Sequence, residues 1–116
     1  MLYRHVQVNQ VDDVAVVHFR NRKIIDDLMI QELGQELFQL VEVENRCKLV
    51  LNFGSVDFLS SAALGKLLTL HKKIKAHNGT LVLCGIRPEI YEVFKITRLD
   101  RLFVINRDEA DALAAF

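Results

Sequence analysis

Two adjacent serines, Ser60 and Ser61, are the residues whose type and position could carry chemistry. They directly precede a segment with the apolar spacing of a helix, so we expect one of them to be the helix N-cap. A helix start also offers free backbone amides and the positive end of the helix dipole, which suit a bound or covalently attached phosphate. One serine is therefore expected to cap the helix, which leaves the other available for modification.

The usual motifs of enzymes and metal sites are missing from the sequence. There is no glycine-rich phosphate loop, and no nucleophile elbow or third catalytic group accompanies a pairing of Ser61 with a histidine. His71 and His77 are six residues apart, which places them on different faces of one helix, without a cysteine or carboxylate at a ligand spacing. We predict that the chain is not an enzyme and uses no metal or cofactor.

The composition is that of an ordinary globular domain. Hydrophobic residues make up 51% of the 116 residues, and 15 basic residues balance 15 acidic ones. Because the formal net charge is zero, direct binding of nucleic acid is not expected. Residues 1–46 carry eight acids against five bases and residues 61–101 carry eight bases against three acids, a dipolar pattern that would orient a protein partner.

The N-terminus, MLYRHVQVNQVDDV, alternates polar and apolar residues and lacks the apolar block of a signal peptide. No stretch reaches the roughly 18 apolar residues of a membrane span. Cys47 and Cys84 have no partner spacing for a metal, so we expect reduced thiols. These features predict one cytoplasmic domain over residues 1–116.

The first part of the chain has the pattern of a hairpin followed by a helix. Alternating residues predict antiparallel strands over 3–11 and 14–19. Helical spacing over 26–44, with Asp26 or Asp27 available as the N-cap, predicts the first core helix.

The middle of the chain predicts a strand, a helix and a second strand. The nearly unbroken apolar run over 48–53 is typical of a central strand that is covered on both sides. Helical spacing follows over 61–77, and a second buried strand is expected over 80–84. Residues 48–84 are therefore expected to form one β-α-β unit.

The last part of the chain predicts three short elements. Pro88 suits the first turn of a helix over 88–96. An edge strand is expected over 102–105 and a terminal helix over 110–116. The residues expected to cap this helix or dock it on the core are Asn106, Glu109, Leu113 and Phe116.

The ordered set of these segments resembles a known family. The stretches that carry the resemblance are LVLNF at 49–53, VDFLSSAALG at 56–65, GTLVLCG at 79–85, PEIYEVFKI at 88–96 and LDRLF at 99–103. Together they are similar to the STAS domains of anti-sigma factor antagonists. The resemblance implies an α/β fold, with a mixed sheet of about four to five strands and helices packed against it.

The resemblance also implies a function as a binding switch. In that family, an anti-sigma factor that is a serine kinase with a histidine-kinase-like ATPase fold phosphorylates a serine in a D-S-x-G-L-type motif. The unmodified antagonist binds the kinase and frees the sigma factor, and a serine phosphatase restores the unmodified form. By alignment the phosphoacceptor is Ser61, with Ser60 as the alternative. The residues expected at the partner surface are Asp57, Ser60, Ser61, Ala62, Ala63 and Lys66, together with Arg22.

The sequence departs from the family motif at two positions and leaves two other functions open. Ser60 stands where an acidic residue is usual, and Ala63 stands where glycine is usual. An alternative function is that of an unphosphorylated STAS subunit in a stress-signalling or transporter complex, for which an altered motif is less unexpected. A small-ligand or nucleotide-binding domain, suggested only by the strand-to-helix junction, is a third hypothesis.

Overall fold

A mixed β-sheet organises the computed structural model, which describes residues 3–116. The strands are β1 (Val6–Val11), β2 (Val14–Phe19), β3 (Lys23–Ile24), β4 (Lys48–Asn52), β5 (Phe58–Leu59), β6 (Thr80–Cys84) and β7 (Val104–Asn106). The helices are α1 (Asp27–Glu42), α2 (Ser61–Ala76), α3 (Pro88–Ile96) and α4 (Glu109–Ala114), with a 3-10 turn, η1 (Leu99–Arg101). The expected domain begins at residue 1, and Met1 and Leu2 lie outside the described residues.

The main sheet has five strands in the order β1-β2-β4-β6-β7. The first pair is antiparallel, with Val8 opposite Val17, and the other pairs are parallel. The predicted hairpin and the strands of the predicted β-α-β unit are therefore confirmed. So is the fold class, an α/β domain with a mixed sheet and helices packed against it.

The two faces of the sheet bury unequal amounts of apolar surface. Because side chains alternate along a strand, Leu49 and Leu51 of β4 join the larger core cluster, which includes side chains from α1, α2 and α3. Val50 points the other way and joins a smaller cluster with Ala112 of α4.

Cys84 belongs to this smaller cluster. Burial and then the charges of Glu109 and Asp108 raise the pKa of the Cys84 thiol to about 11, so the thiol stays neutral.

The predicted bounds shift by a few residues where backbone geometry ends an element. Helix α1 stops at Glu42 rather than 44, since the next two amides both donate to the Gln39 carbonyl and Asn45 adopts a left-handed conformation. Strand β1 begins at Val6 rather than at residue 3. Strand β7 covers 104–106 rather than 102–105, because the Leu102 amide closes η1 onto the Leu99 carbonyl.

The predicted cap and docking of the last helix are partly wrong. Asn106 is still in β7, paired with Cys84, so it cannot start the helix. Asp108 is the N-cap instead, and its Oδ1 accepts from the Asp111 amide at 2.9 Å. Leu113 packs against the smaller cluster as expected, whereas Phe116 follows the end of α4 and is 38% exposed.

Strands β3 and β5 form a second, two-stranded parallel sheet that the sequence patterns do not predict. Each strand has two residues, which is too short for an alternating pattern to be recognised. Their pairing connects the segment before α1 to the segment before α2.

His71 of α2 packs against a neighbouring aromatic ring. Its ring centroid lies 5.3 Å from that of Phe103 in an edge-to-face arrangement, and its buried Nδ1 has no hydrogen-bond partner among the described residues. Burial, and then the charge of Lys75, lower the pKa of the imidazole. Since the folded chain then binds protons less readily than the unfolded chain, the stability linked to His71 is present above about pH 6.5. It is lost as the pH falls from there through the lowered pKa.

We expect His71→Leu to reduce the acid sensitivity of folding. The decrease in the free energy of unfolding from about pH 7.5 to about pH 5, measured by urea denaturation, should be smaller in the variant than in the wild type. His77→Leu changes an exposed histidine at the end of the same helix and should keep the wild-type decrease. An unchanged decrease in His71→Leu would contradict this account.

Candidate functional site

The pairing of β3 with β5 positions the start of α2. The Asp57 amide donates to the Arg22 carbonyl at 2.7 Å, and the Ser60 amide donates to the Ile24 carbonyl at 3.0 Å. The chain from 57 to 60 is therefore held against the chain from 22 to 24 before the helix begins. Ser60 and Ser61 lie at this junction.

The two serines have different structural positions. Ser60 is the N-cap of α2, with an extended backbone, and its Oγ accepts from the Ala63 amide at 3.3 Å. Ser61 is the first residue of the helix and is exposed, and its hydroxyl makes no hydrogen bond within residues 3–116. The remaining serine of the chain, Ser55, donates its hydroxyl to the Phe19 carbonyl at 2.7 Å. The prediction that one of the adjacent serines caps the helix is confirmed for Ser60.

Asp57 bridges two arginines beside this junction. Its Oδ2 lies 2.6 Å from Nη2 of Arg22, and its Oδ1 lies 3.0 Å from Nε of Arg87. The Asp57 side chain is only 19% exposed, while those of Arg22 and Arg87 are 75% and 48% exposed. The carboxylate therefore connects the segments beside β3, β5 and the start of α3, and it presents two guanidinium groups to solvent around one partly buried acid.

Asp57 and Arg22 were predicted separately from the sequence, and the structure pairs them with each other. Arg87 was not predicted. The available signal was local, since Arg87 directly precedes the Pro88 that starts α3. Only the fold places that position beside Asp57.

The other predicted surface residues lie in different environments. Ala62 is exposed next to Ser61, whereas Ala63 is 3% exposed and packs in the main core. Lys66 lies at the contact of α2 with α1, where its Nζ donates to Gln31 Oε1 at 3.0 Å. Its aliphatic chain fills the space that a Cβ on Gly34 would occupy, which allows the two helices to approach closely.

Exposed apolar side chains surround the junction. Ile25, Leu28 and Phe58 are 54%, 68% and 54% exposed, and we call these three residues the apolar rim. Lys23 Nζ lies 5.6 Å from the centre of the Phe58 ring.

A groove of about 480 Å³ continues from Phe58 between β5 and α3. It is lined by Asp57, Phe58, Leu59, Arg87, Glu89, Ile90 and Val93. Large apolar side chains left in water around one point are typical of a protein-binding surface.

The described residues include neither a metal-site cluster nor a membrane-spanning helix. No group of three or more His, Cys, Asp or Glu side chains in residues 3–116 is arranged to hold a metal ion. In the same residues, no helix is both long and apolar enough to cross a bilayer.

The domain can be assigned to a protein family. The model of the STAS domain matches residues 5–112. This chain belongs to the STAS family. STAS antagonists are non-enzymatic regulatory proteins, so the family confirms the prediction that the chain is not an enzyme.

A relative of this STAS domain, from Bordetella bronchiseptica, is described as a putative anti-sigma factor antagonist, BtrV. It is 32% identical over 93 residues, which cover 80% of this chain and 79% of the relative. The similarity therefore extends over most of both chains.

Solved structures share the fold over nearly the whole chain. An anti-sigma factor antagonist from Mycobacterium paratuberculosis is 26% identical, with a TM-score of 0.82, and the match covers 95% of this chain and 91% of that one. The Bacillus cell fate determinant SpoIIAA in its phosphorylated form is 17% identical, with a TM-score of 0.71 and coverage of 95% and 97%. At that identity, the likeness to SpoIIAA shows a common fold.

The different positions of the two serines predict different effects on stability. Ser60→Ala removes the N-cap acceptor and should lower the free energy of unfolding by about 1 kcal/mol. Ser61→Ala should change it by less than about 0.5 kcal/mol, because the exposed Ser61 hydroxyl makes no hydrogen bond with any residue that the structure describes. Urea denaturation of both variants measures this difference. Equal losses in the two variants would show that the cap is assigned to the wrong serine.

Proposed function

We propose that this STAS domain is an anti-sigma factor antagonist that binds an anti-sigma factor serine kinase around the start of α2 and is switched by phosphorylation of Ser61. The observation that carries the proposal is the free hydroxyl of Ser61. The hydroxyl groups of Ser55 and Ser60 make hydrogen bonds within the fold, whereas that of Ser61 makes none with the described residues, 3–116. The descriptions of the related proteins support the same function.

The start of α2 can accept a phosphate without disturbing the domain. A phosphoserine at the first helical position lies at the positive end of the helix dipole, near amides that lack partners in the helix. No acidic residue occupies the first turn of α2, so no carboxylate there opposes the added charge. The modification therefore acts on binding, while the fold of the free domain stays intact.

The same phosphate would oppose a partner that covers the apolar rim. It adds a charge of about −1.5 to −2, which must lose its water when the surface around it is buried. Because each 1.4 kcal/mol is about tenfold in affinity, a penalty of roughly 3 to 4 kcal/mol is enough to release a tightly bound partner. Such a switch needs no rearrangement of the sheet or helices.

The proposed partner surface combines the exposed and half-exposed predicted residues with their neighbours in the fold. It comprises Asp57, Ser60, Ser61, Ala62, Lys66, Arg22, Arg87 and the apolar rim, whereas Ala63 is buried in the core and is not part of it. The expected partners are a kinase with a histidine-kinase-like ATPase fold and a serine phosphatase, with Ser60 as the alternative phosphoacceptor. The domain acts in the cytoplasm and affects transcription indirectly, through the partner, without contacting nucleic acid.

Phosphorylation with purified components tests the proposal. The protein is incubated with ATP and candidate anti-sigma kinases from the same genome, and phosphate is located by mass spectrometry. We expect phosphate on Ser61 in the wild type and in Ser60→Ala, no phosphate in Ser61→Ala, and weaker kinase binding after modification. Phosphate on Ser60 instead of Ser61 would show that Ser60 is the phosphoacceptor. Stable binding to a STAS protein or membrane complex, with no phosphate, would favour the assembly-subunit function instead.

Ser61→Asp should separate stability from binding. A carboxylate at this position should raise the free energy of unfolding by about 0.3 to 1 kcal/mol at low salt through the helix dipole, and it should weaken kinase binding. Ser61→Asn has a similar shape without the charge and is the matched control. Thermal denaturation and titration calorimetry measure the two effects. If the Asp and Asn variants bind the kinase equally well, charge at residue 61 is not the switch.

A further inference from the structure

The side chain of Asn52, at the end of β4, uses both ends of its amide. Its Oδ1 accepts from the Gly54 amide at 2.8 Å, and its Nδ2 donates to Glu109 Oε1 at 3.1 Å. A backbone amide can only donate and an ionised carboxylate can only accept, so the two partners together fix which end of the amide faces which way. Asn52 therefore links helix α4 to the loop that follows β4.

That loop leads directly to the proposed switch site. After the Asn52–Gly54 contact, the Val56 amide donates to the Phe53 carbonyl at 2.9 Å. The Asp57 amide then donates to the Arg22 carbonyl at 2.7 Å. Only two short turns separate Asn52 from Asp57, which directly precedes β5. The position of Gly54, which Asn52 holds, therefore affects the position of Asp57.

Gly85 shows how closely the surrounding chain packs on this turn. Its φ is +68°, and a Cβ at this position would lie 2.9 Å from Asn52 Oδ1 and 3.2 Å from the Gly54 nitrogen. Any other residue would therefore displace the amide of Asn52 or the loop itself. The turn is enclosed on this side by backbone rather than by movable side chains.

Glu109 attaches α4 to the sheet through the same carboxylate oxygen. Its Oε1 also lies 3.1 Å from Nε2 of His18 on β2. Helix α4 has six residues, and within it only Ala112 is fully buried. Glu109 therefore adds polar contacts with β2 and β4 to the apolar packing of Ala112 and Leu113.

We propose that Asn52 is a positioning residue for the Ser61 site and that Glu109 sets the orientation of its amide, which couples the docking of α4 to the geometry of loop 53–57. The coupling uses one side chain with two ends. The proposed path from Glu109 to the loop runs through Asn52. The proposal rests on the proposed function for its phosphorylation readout, and its structural readout is independent of that function.

A donor–acceptor exchange tests the coupling. Asn52→Asp keeps the acceptor for the Gly54 amide but places a second carboxylate against Glu109. Glu109→Gln keeps a side-chain oxygen that can accept from Asn52. In the double variant, the amide nitrogen of the glutamine at position 109 can donate to the carboxylate oxygen that the aspartate at position 52 has in place of Nδ2. We expect hydrogen exchange at the Gly54 and Asp57 amides to be about tenfold faster in Asn52→Asp, and close to wild type in Glu109→Gln and in the double variant.

The phosphorylation rate of Ser61 by its kinase should follow the same order, with a decrease of about tenfold in Asn52→Asp and recovery in the double variant. Val41→Ala, which creates a cavity under α1, is the control for lost stability alone. It should lower the melting temperature without changing either readout at the site.

Two results would overturn the proposal. One is exchange at Gly54 and Asp57 that is the same in Asn52→Asp as in the wild type. The other is a defect in Asn52→Asp that Glu109→Gln fails to reverse. If the wild type is not phosphorylated at all, the proposed function fails, and the hydrogen-exchange comparison still decides whether Asn52 couples α4 to the loop.

Discussion

The short parallel pairing of β3 with β5 is the constraint on which the candidate site depends. Backbone hydrogen bonds from Asp57 and Phe58 to Arg22, and from Ser60 to Ile24, hold the extended chain that leads into α2. With Ser60 held in an extended conformation, its hydroxyl reaches the Ala63 amide and becomes the cap. The next residue, Ser61, is then the first on the helix and faces solvent.

The charges near the junction are arranged to leave positive groups at the surface. Asp57 is the partly buried member of its cluster, and its carboxylate is shared by two more exposed arginines. Ion pairs at the surface contribute little stability by themselves, but a carboxylate held by two arginines from different segments fixes the position of those segments. The cluster therefore serves mainly to hold β5 against the start of α3, beside the apolar rim.

The two faces of the sheet support the site in different ways. On the larger face, α1, α2 and α3 bury leucine, isoleucine and phenylalanine side chains against the strands, which makes the base of the site rigid. On the smaller face, α4 is held by few apolar contacts and by the carboxylate of Glu109. On the face with the smaller apolar cluster, α4 is connected to the loop before β5 through Asn52. On the face with the larger cluster, the core holds α2, the helix that follows β5.

The sequence by itself determined the elements whose signals are local, and only the tertiary structure decided the contacts between distant segments. The periods of the apolar residues predicted the hairpin, α1 and the central β-α-β unit, and Pro88 predicted the start of α3. A serine at the start of α2 was recognisable as a cap because capping depends on neighbours only three residues away. The family resemblance added the mixed sheet and the expectation that Ser61 is the phosphoacceptor. By contrast, Arg22 and Asp57 are 35 residues apart, and Asn52 and Glu109 are 57 apart, so no local pattern pairs them. Two-residue strands have no period, and surface side chains acquire partners only when the chain folds back, which is why these features required the fold.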